Sequence, residues 1–154
     1  MLSSRRNTCI TILAALDGVI QLGRDHFILL IWRIPDGSYY SQVFDFVEID
    51  SSLYKTSNAF IVKNWSKKTS AHFRFTAKFP KVITHDKRLN DVEKELELFF
   101  SSMIYLKDNI LALLIQLTPS MSIVEGMNGL RDIIPELDKR FRYAVEVRDS
   151  SYFI

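Results

Sequence analysis

Six polar side chains that can handle a proton or a charge fall at matching places in four apolar runs. Glu48 and Asp50 close residues 44–50, and Lys78 comes near the end of 73–79. Gln116 closes 110–116, and Glu146 and Arg148 close 141–148. Residues two apart in a strand share a face. Glu48 therefore points the same way as Asp50, Arg74 and Thr76 the same way as Lys78, and Ala144 and Glu146 the same way as Arg148. On that geometry Glu48 and Glu146 can serve as acid and base, with Lys78 stabilising an anion. Gln116, Asp50 and Arg148 can hold substrate. Tyr54, Thr84 and His85 reach toward the same end from loops. His85, in Ile83-Thr84-His85-Asp86, is the best proton carrier because imidazole titrates near neutral pH. The alternative for His85 is a loop histidine bonded to Asp86 or Thr84. Glu146 and Arg148 can likewise be read as structural ion-pair partners.

These residues need elements to position them. The four runs are short and rich in Phe, Val, Ile, Leu and Tyr, as strands are. From the second run on they start about 30 residues apart, the size of a βαβ unit. Between them lie amphipathic stretches. Leu89, Val92, Leu96, Phe99, Met103 and Leu106 are spaced by threes and fours, which places them on one helix face. Met127, Leu130, Ile134 and Leu137 predict a second helix, whose end Pro135 disturbs. Asn58 is placed to cap a third, which runs to Lys68 and carries Phe60, Ile61 and Trp65. Alternating strands and helices give an α/β class with four recognisable parallel strands. The carboxyl ends of parallel strands share one edge, and ligands of open sheets and (β/α)₈ barrels bind along it. A polar residue at one strand end marks little more than the border with water. Four in four consecutive units favour a site. If Lys78 is buried near Glu48 or Glu146 it has to pair, because an unpaired buried charge is costly.

Composition narrows the functions. The chain has 154 residues, with 47% hydrophobic and 25% charged, which describes one globular domain and excludes disordered, collagenous and coiled-coil classes. The single cysteine, Cys9, rules out an internal disulfide, so a reducing compartment and a cytoplasmic location are expected. Arg5-Arg6 before the apolar residues 9–16 looks like the start of a secretory signal, but Asp17 interrupts it. Residues 27–32 fall well short of the ~20 apolar residues a membrane span needs. His26, His72 and His85 are scattered, and neither a phosphate loop nor a dinucleotide fingerprint occurs. No metal or cofactor is therefore expected. Residues 63–88 carry eight basic side chains against Asp86 alone, with Trp65, Phe73, Phe75 and Phe79 interleaved. This is enough charge to attract a phosphate backbone. The alternation sends the phenylalanines to the core, however, and nucleic-acid binding is not expected without a reading motif.

The same runs carry a family resemblance. Phe46-Val47-Glu48-Ile49-Asp50-Ser51-Ser52-Leu53-Tyr54 resembles the "VEINSTFY" signature of the YecE-like family, also called domain of unknown function 72. Phe73-Arg74-Phe75-Thr76-Ala77-Lys78-Phe79-Pro80 with Ile83-Thr84-His85 is similar to its "FRFAVKAP…ITH" segment. Leu114-Ile115-Gln116-Leu117-Thr118-Pro119-Ser120 resembles "LFQLPPSF". Tyr143-Ala144-Val145-Glu146-Val147-Arg148-Asp149 with Ser151-Tyr152-Phe153 resembles "YAVEFRHPSWF". The chain departs from these patterns at Asp50, Thr118, Asp149 and Tyr152, where the family favours Asn, Pro, His and Trp.

The resemblance implies a (β/α)₈ barrel of unestablished role, of which residues 39–154 form a part and residues 1–38 a divergent leading segment. It also favours the site reading of His85. The family's opening Gly-x-x-Gly-Trp strand has no counterpart in 1–38, and the chain stops after the family's fifth strand, as a truncated member would. Residues 9–16 or 26–33 are the candidates to replace the missing strand. A partial barrel exposes sheet edges, so a homodimer or another covering partner is expected. The function this implies is a small-molecule site for an anionic or carbohydrate-like ligand at the strand ends. The alternative is a non-catalytic remnant or interaction module.

Overall fold

The computed structural model describes residues 10–14, 30–31, 46–49 and 59–153, the first two segments as backbone only. The elements run β1 (Ile10–Ala14), β2 (Leu30–Ile31), β3 (Phe46–Ile49), α1 (Ala59–Lys68), β4 (Arg74–Lys78), α2 (Glu93–Met103), β5 (Ile110–Gln116), α3 (Ile123–Ile133) and β6 (Tyr143–Val147). Short turns of tighter or wider helix follow β4 (Val82–Asp86), α2 (Ile104–Leu106), α3 (Ile134–Glu136) and β6 (Ser150–Tyr152).

The six strands among the described residues form one parallel sheet in the order β1-β6-β5-β4-β3-β2. From β3 to β6, each strand lies beside its predecessor and is joined to it through a helix. This is the connection that parallel strands require. Four of the strands are those the sequence makes legible. The other two come from the leading segment, where no strand-helix unit can be read. Leu30–Ile31 lies beside β3, and Ile10–Ala14 lies beside β6, at the opposite edge.

Each strand has two distinct faces. Ile49, Ala77, Leu113 and Tyr143 stand in register across β3 to β6 and are at most 1% exposed. With Val47, Phe75, Ile115, Val145 and Val147 they form the face that meets the helices. Val62 and Trp65 of α1, Leu96, Phe99 and Met103 of α2, and Leu130 and Ile133 of α3 complete that core. Phe79, just beyond β4, packs against Phe99 at 4.9 Å and Tyr143 at 6.2 Å between ring centres. The other face carries Phe46, Glu48, Thr76, Lys78, Leu114, Gln116, Ala144 and Glu146, none of which belongs to the helix-side core. The sheet thus separates an apolar layer from a mixed one, and the mixed one holds the chemistry.

The α2 helix matches its sequence pattern, for Leu89, Val92, Leu96, Phe99, Met103 and Leu106 are all at most 4% exposed. The α3 helix matches its pattern in half: Leu130 and Leu137 are buried as expected, while Met127 and Ile134, also expected inside, are 46% and 39% exposed, and Gly126 and Ile133 face inward in their place. Two glycines cause this rotation. A Cβ on Gly126 would fall on the Tyr152 hydroxyl, and one on Gly129 would come within 3.1 Å of Leu89. Hydrophobic spacing gives such residues no weight, although their lack of a side chain brings the helix close. In α1 the buried pair is Val62 and Trp65, with Phe60 and Ile61 turned outward. The expected cap Asn58 lies outside the described residues.

These assignments are checked by urea unfolding of two methionine variants. Met103→Ala should cost about 2–5 kcal/mol, as core truncations do. Met127→Ala should stay within about 0.5 kcal/mol of the parent chain, as surface changes do. A large loss from Met127→Ala would restore the expected inward face of α3.

Candidate functional site

The mixed face ends in a row of charged and amide side chains on adjacent strands. Glu48 is paired in register with Thr76, Lys78 with Leu114, Leu114 with Ala144, and Gln116 with Glu146. Each polar residue therefore sits level with its neighbour strand's last turns, stepped in the way that strand stagger imposes. Lys78 Nζ lies 3.1 Å from Glu48 Oε1, with the two side chains 15% and 4% exposed. Gln116 Nε2 donates to Glu146 Oε2 at 2.7 Å. Arg148 Nε stands 3.9 Å from Glu146 Oε1, whose side chain is 5% exposed. Two nearly buried carboxylates are thus held by a cation in one case and by an amide with a more distant guanidinium in the other. Of the two partners open to Lys78 on sequence grounds, its salt bridge is with Glu48.

Beyond β4 the chain turns sharply. Phe79-Pro80 leads into the wide turn Val82–Asp86, where Thr84 is 1% exposed and its Oγ1 lies 2.8 Å from His85 Nδ1. The Thr84 bond of the alternative reading, a loop histidine held by its neighbour, is therefore present. Partial burial lowers the His85 pKa below its ordinary 6.5, and the positive charges of Lys81, Arg148 and Arg88 lower it further. Asp86 acts in the opposite direction. The influence of Arg148 places the β4 turn and the end of β6 in one electrostatic neighbourhood. Asp50 and Tyr54 lie outside the described residues.

The loops around this row are tied to one another by residues the sequence does not single out as site residues. Arg88 donates from Nε to Glu125 Oε1 at 2.5 Å and from Nη2 to Glu125 Oε2 at 2.6 Å. It also reaches Ser120 Oγ and the Ser120 carbonyl at 3.0 and 3.1 Å. Arg88, Leu89 and Asp91 take positive φ values of 52°, 67° and 50°. That left-handed backbone is unfavourable for side chains of these sizes. The forked Arg88–Glu125 contact is the kind of bond strong enough to hold such a segment. On the other side Ser151 Oγ accepts from the Ile123 N–H at 2.8 Å, and Tyr152 Oη donates to the Ser122 carbonyl at 3.1 Å. The loops after β4, β5 and β6 are thereby joined. Contacts spanning 28 to 37 residues leave no local pattern to read.

A separate cleft of about 220 Å³ lies in the helix layer, between the start of α2 and the end of α3. Its acidic residues are Asp91, Glu93, Asp132 and Glu136, and it shares no residue with the strand-end row. Among the described residues no group of three or more His, Cys, Asp or Glu could hold a metal ion. Among them too, no helix is long and apolar enough to cross a membrane.

Removing one partner of the buried pair should be costly. Lys78→Met takes away the cation beside Glu48, and an expected loss of about 3 kcal/mol on urea unfolding follows from buried ion-pair behaviour. Adding Glu48→Gln to that variant should recover part of the loss. Equal stability of Lys78→Met and the parent chain would show that the pair carries no weight.

His85 gives a second test. Because the folded ring holds its proton less firmly than the unfolded one, stability is greatest above pH 6.5 and falls as the pH drops from 6.5 toward the lower folded value. An NMR titration should place the His85 midpoint below 6.5, and Lys81→Gln or Arg148→Gln should raise it. A midpoint at or above 6.5 would contradict the electrostatics described here.

Comparison with known proteins bears on the whole arrangement. Residues 38–154 match the family profile described as protein of unknown function DUF72. The chain is 30% identical over 114 residues to UPF0759 protein YecE of Escherichia coli (strain K12), covering 74% of this chain and 42% of that protein. The protein of the same name from Escherichia coli O157:H7 matches equally. A DUF72 family protein of Enterococcus faecalis V583 superposes with a TM-score of 0.69 at 22% identity, over 82% of this chain and 53% of that one. A DUF72 family protein of Thermotoga maritima MSB8 superposes with a TM-score of 0.62 at 25% identity, over 74% of this chain and 46% of that one. The chain therefore spans about half the length of the relatives it matches. The matched residues include the four strands that carry Glu48, Lys78, Gln116 and Glu146, and by this match the chain belongs to the DUF72 family.

Proposed function

We propose that the carboxyl ends of β3 to β6 form a binding site for an anionic or carbohydrate-like small molecule. The observation that carries this reading is that Glu48 and Glu146, with side chains 4% and 5% exposed, stand on the face that the hydrophobic core does not use. Residues needed only to mark a strand's end would sit in water. Holding two carboxylates out of water costs free energy, which Lys78 and Gln116 offset in part. That row lies on the edge where parallel α/β sheets bind their ligands. In this reading Lys78 orients an acidic group or a developing anion. Gln116 positions a hydroxyl, and Glu48 and Glu146 exchange protons with the ligand. His85 stands at the rim as a neutral base, since its proton is weakly held.

A second reading, as an interaction module, has its own observation. Val124, Met127 and Ile134 leave an exposed apolar stripe along α3, at 69%, 46% and 39%. A stripe of this kind is where a second copy of the chain or another protein would pack.

Thermal unfolding with glucose, glucose 6-phosphate and citrate separates the two, with the mass in solution recorded on the same sample. A strand-end ligand should raise the midpoint of the parent chain, by about 2–4 °C for each kcal/mol of binding at this chain length. The rise should vanish in Glu48→Gln, provided that variant still unfolds cooperatively. A rise that survives Glu48→Gln would remove the strand-end site. No rise with any of the three, together with a dimer mass, would favour the interaction module.

A further inference from the structure

Two buried side-chain oxygens among the described residues have no hydrogen-bond partner, Thr76 Oγ1 and Glu95 Oε2. Glu95, on α2, has Lys87 at 2.8 Å on its other oxygen. Thr76 has a single side-chain oxygen, so nothing offsets its burial. A buried hydroxyl left unpaired costs free energy, and native proteins keep few of them.

Thr76 lies within the strand-end row. It is paired in register with Glu48 on β3 and with Ala112 on β5. Lys78 comes two residues later on the same face, with its Nζ 3.1 Å from Glu48 Oε1. Ala112 ends at Cβ and offers the hydroxyl no partner. The register of β4 on β5 shifts at this point, from Phe75 opposite Ile110 to Thr76 opposite Ala112, so β5 carries Leu111 as an extra residue. Such bulges re-aim side chains and are over-represented beside active sites. Thr76 as a whole is partly exposed, although its oxygen is buried. A threonine that only filled the sheet would turn its methyl inward and its hydroxyl to water.

We infer that Thr76 is a specificity residue of the strand-end site, where its hydroxyl acts with Glu48 to take a hydroxyl group of the ligand. This rests on the reading under Proposed function and narrows its ligand from anionic or carbohydrate-like to the hydroxyl-bearing, carbohydrate-like class. A ligand hydroxyl can donate to the Glu48 carboxylate and accept from the Thr76 hydroxyl at once. A ligand carboxylate has no proton to give Glu48 and is repelled by it. The partial exposure of Thr76 gives a ligand access to the residue, and rotation about its Cα–Cβ bond moves the oxygen between staggered positions.

The test is thermal unfolding of the parent chain, Thr76→Val, Thr76→Ser and Glu48→Gln, each without ligand and with glucose, glucose 6-phosphate or citrate. Valine keeps the shape of threonine and lacks the hydroxyl. Without ligand, Thr76→Val should unfold at the parent midpoint or above it, because it removes an unpaired group. Glucose or glucose 6-phosphate should raise the midpoint of the parent chain and of Thr76→Ser. In Thr76→Val the affinity read from the dependence on sugar concentration should weaken about tenfold, the effect of one hydrogen bond. A lower midpoint for Thr76→Val without ligand would overturn the inference, since the hydroxyl would then serve the fold. A sugar response undiminished in Thr76→Val but lost in Glu48→Gln would remove the role of Thr76 and leave the strand-end site standing. A response to citrate and to neither sugar, lost in Glu48→Gln, would overturn the hydroxyl-bearing class and keep that site. A response that survives Glu48→Gln, or none with any of the three, would remove the site and the role of Thr76 together.

Discussion

A buried carboxylate needs a partner, and the arrangement of this protein follows from how two of them meet that condition. Glu48 and Glu146 are 3% and 4% exposed as whole residues. Each is answered by a side chain from the next strand, Lys78 from β4 and Gln116 from β5. Those partners are in reach only because β3 to β6 are neighbours in unbroken parallel order. They share a face only because register sets Ile49, Ala77, Leu113 and Tyr143 together on the other. A slip of one residue in any of these strands would move the charges into the apolar layer. Pairing of the polar row and packing of the core are thus two sides of one register.

The surrounding loops are held by the same logic of long-range pairing. The run of left-handed residues at Arg88, Leu89 and Asp91 is locally unfavourable, and the four contacts of Arg88 with Glu125 and Ser120 offset it. Leu89, carried by that strained segment, packs at 2% exposure against the place where Gly129 has no side chain. Gly126 makes room in turn for Tyr152, which ties the turn after β6 to the start of α3. Glycine in a helix is unfavourable by itself, so both positions trade helix propensity for closeness at the rim. A rim braced in this way can hold side chains such as His85 in fixed positions, which a binding site requires.

Membership of the DUF72 family fixes the fold and leaves the chemistry to be argued from the site. The chain matches 42% of YecE and about half of each solved relative, and its described strands include two that the family motifs do not mark. Ile10–Ala14 borders β6, and Leu30–Ile31 borders β3, so the strands bearing the polar row are flanked on both sides by backbone. That matters for the row itself. A strand paired along both edges is better held than one open to water, and Glu48 and Glu146 are on the two strands so protected.

Much of this is legible in the amino-acid sequence because it depends on local order. Period-two alternation in four runs gives the strands and puts Glu48, Lys78, Gln116 and Glu146 at their ends. The spacing of Leu89 to Leu106 gives the buried face of α2, as the burial of all six residues bears out. What the tertiary structure decided depends on distance between segments. Lys78 has two acidic partners open to it by sequence, and strand order joins it to Glu48. The inward face of α3 is set by Gly126 and Gly129, whose value lies in what approaches them, Tyr152 and Leu89, and not in any hydrophobicity of their own. Phe60 and Ile61 are as apolar as Val62, yet only Val62 meets the sheet. The Arg88–Glu125 clamp spans 37 residues and has no periodicity to betray it. Sequence determines which faces a segment offers, because side-chain direction repeats along the backbone. Which faces meet is decided by packing, because contact depends on the whole chain at once.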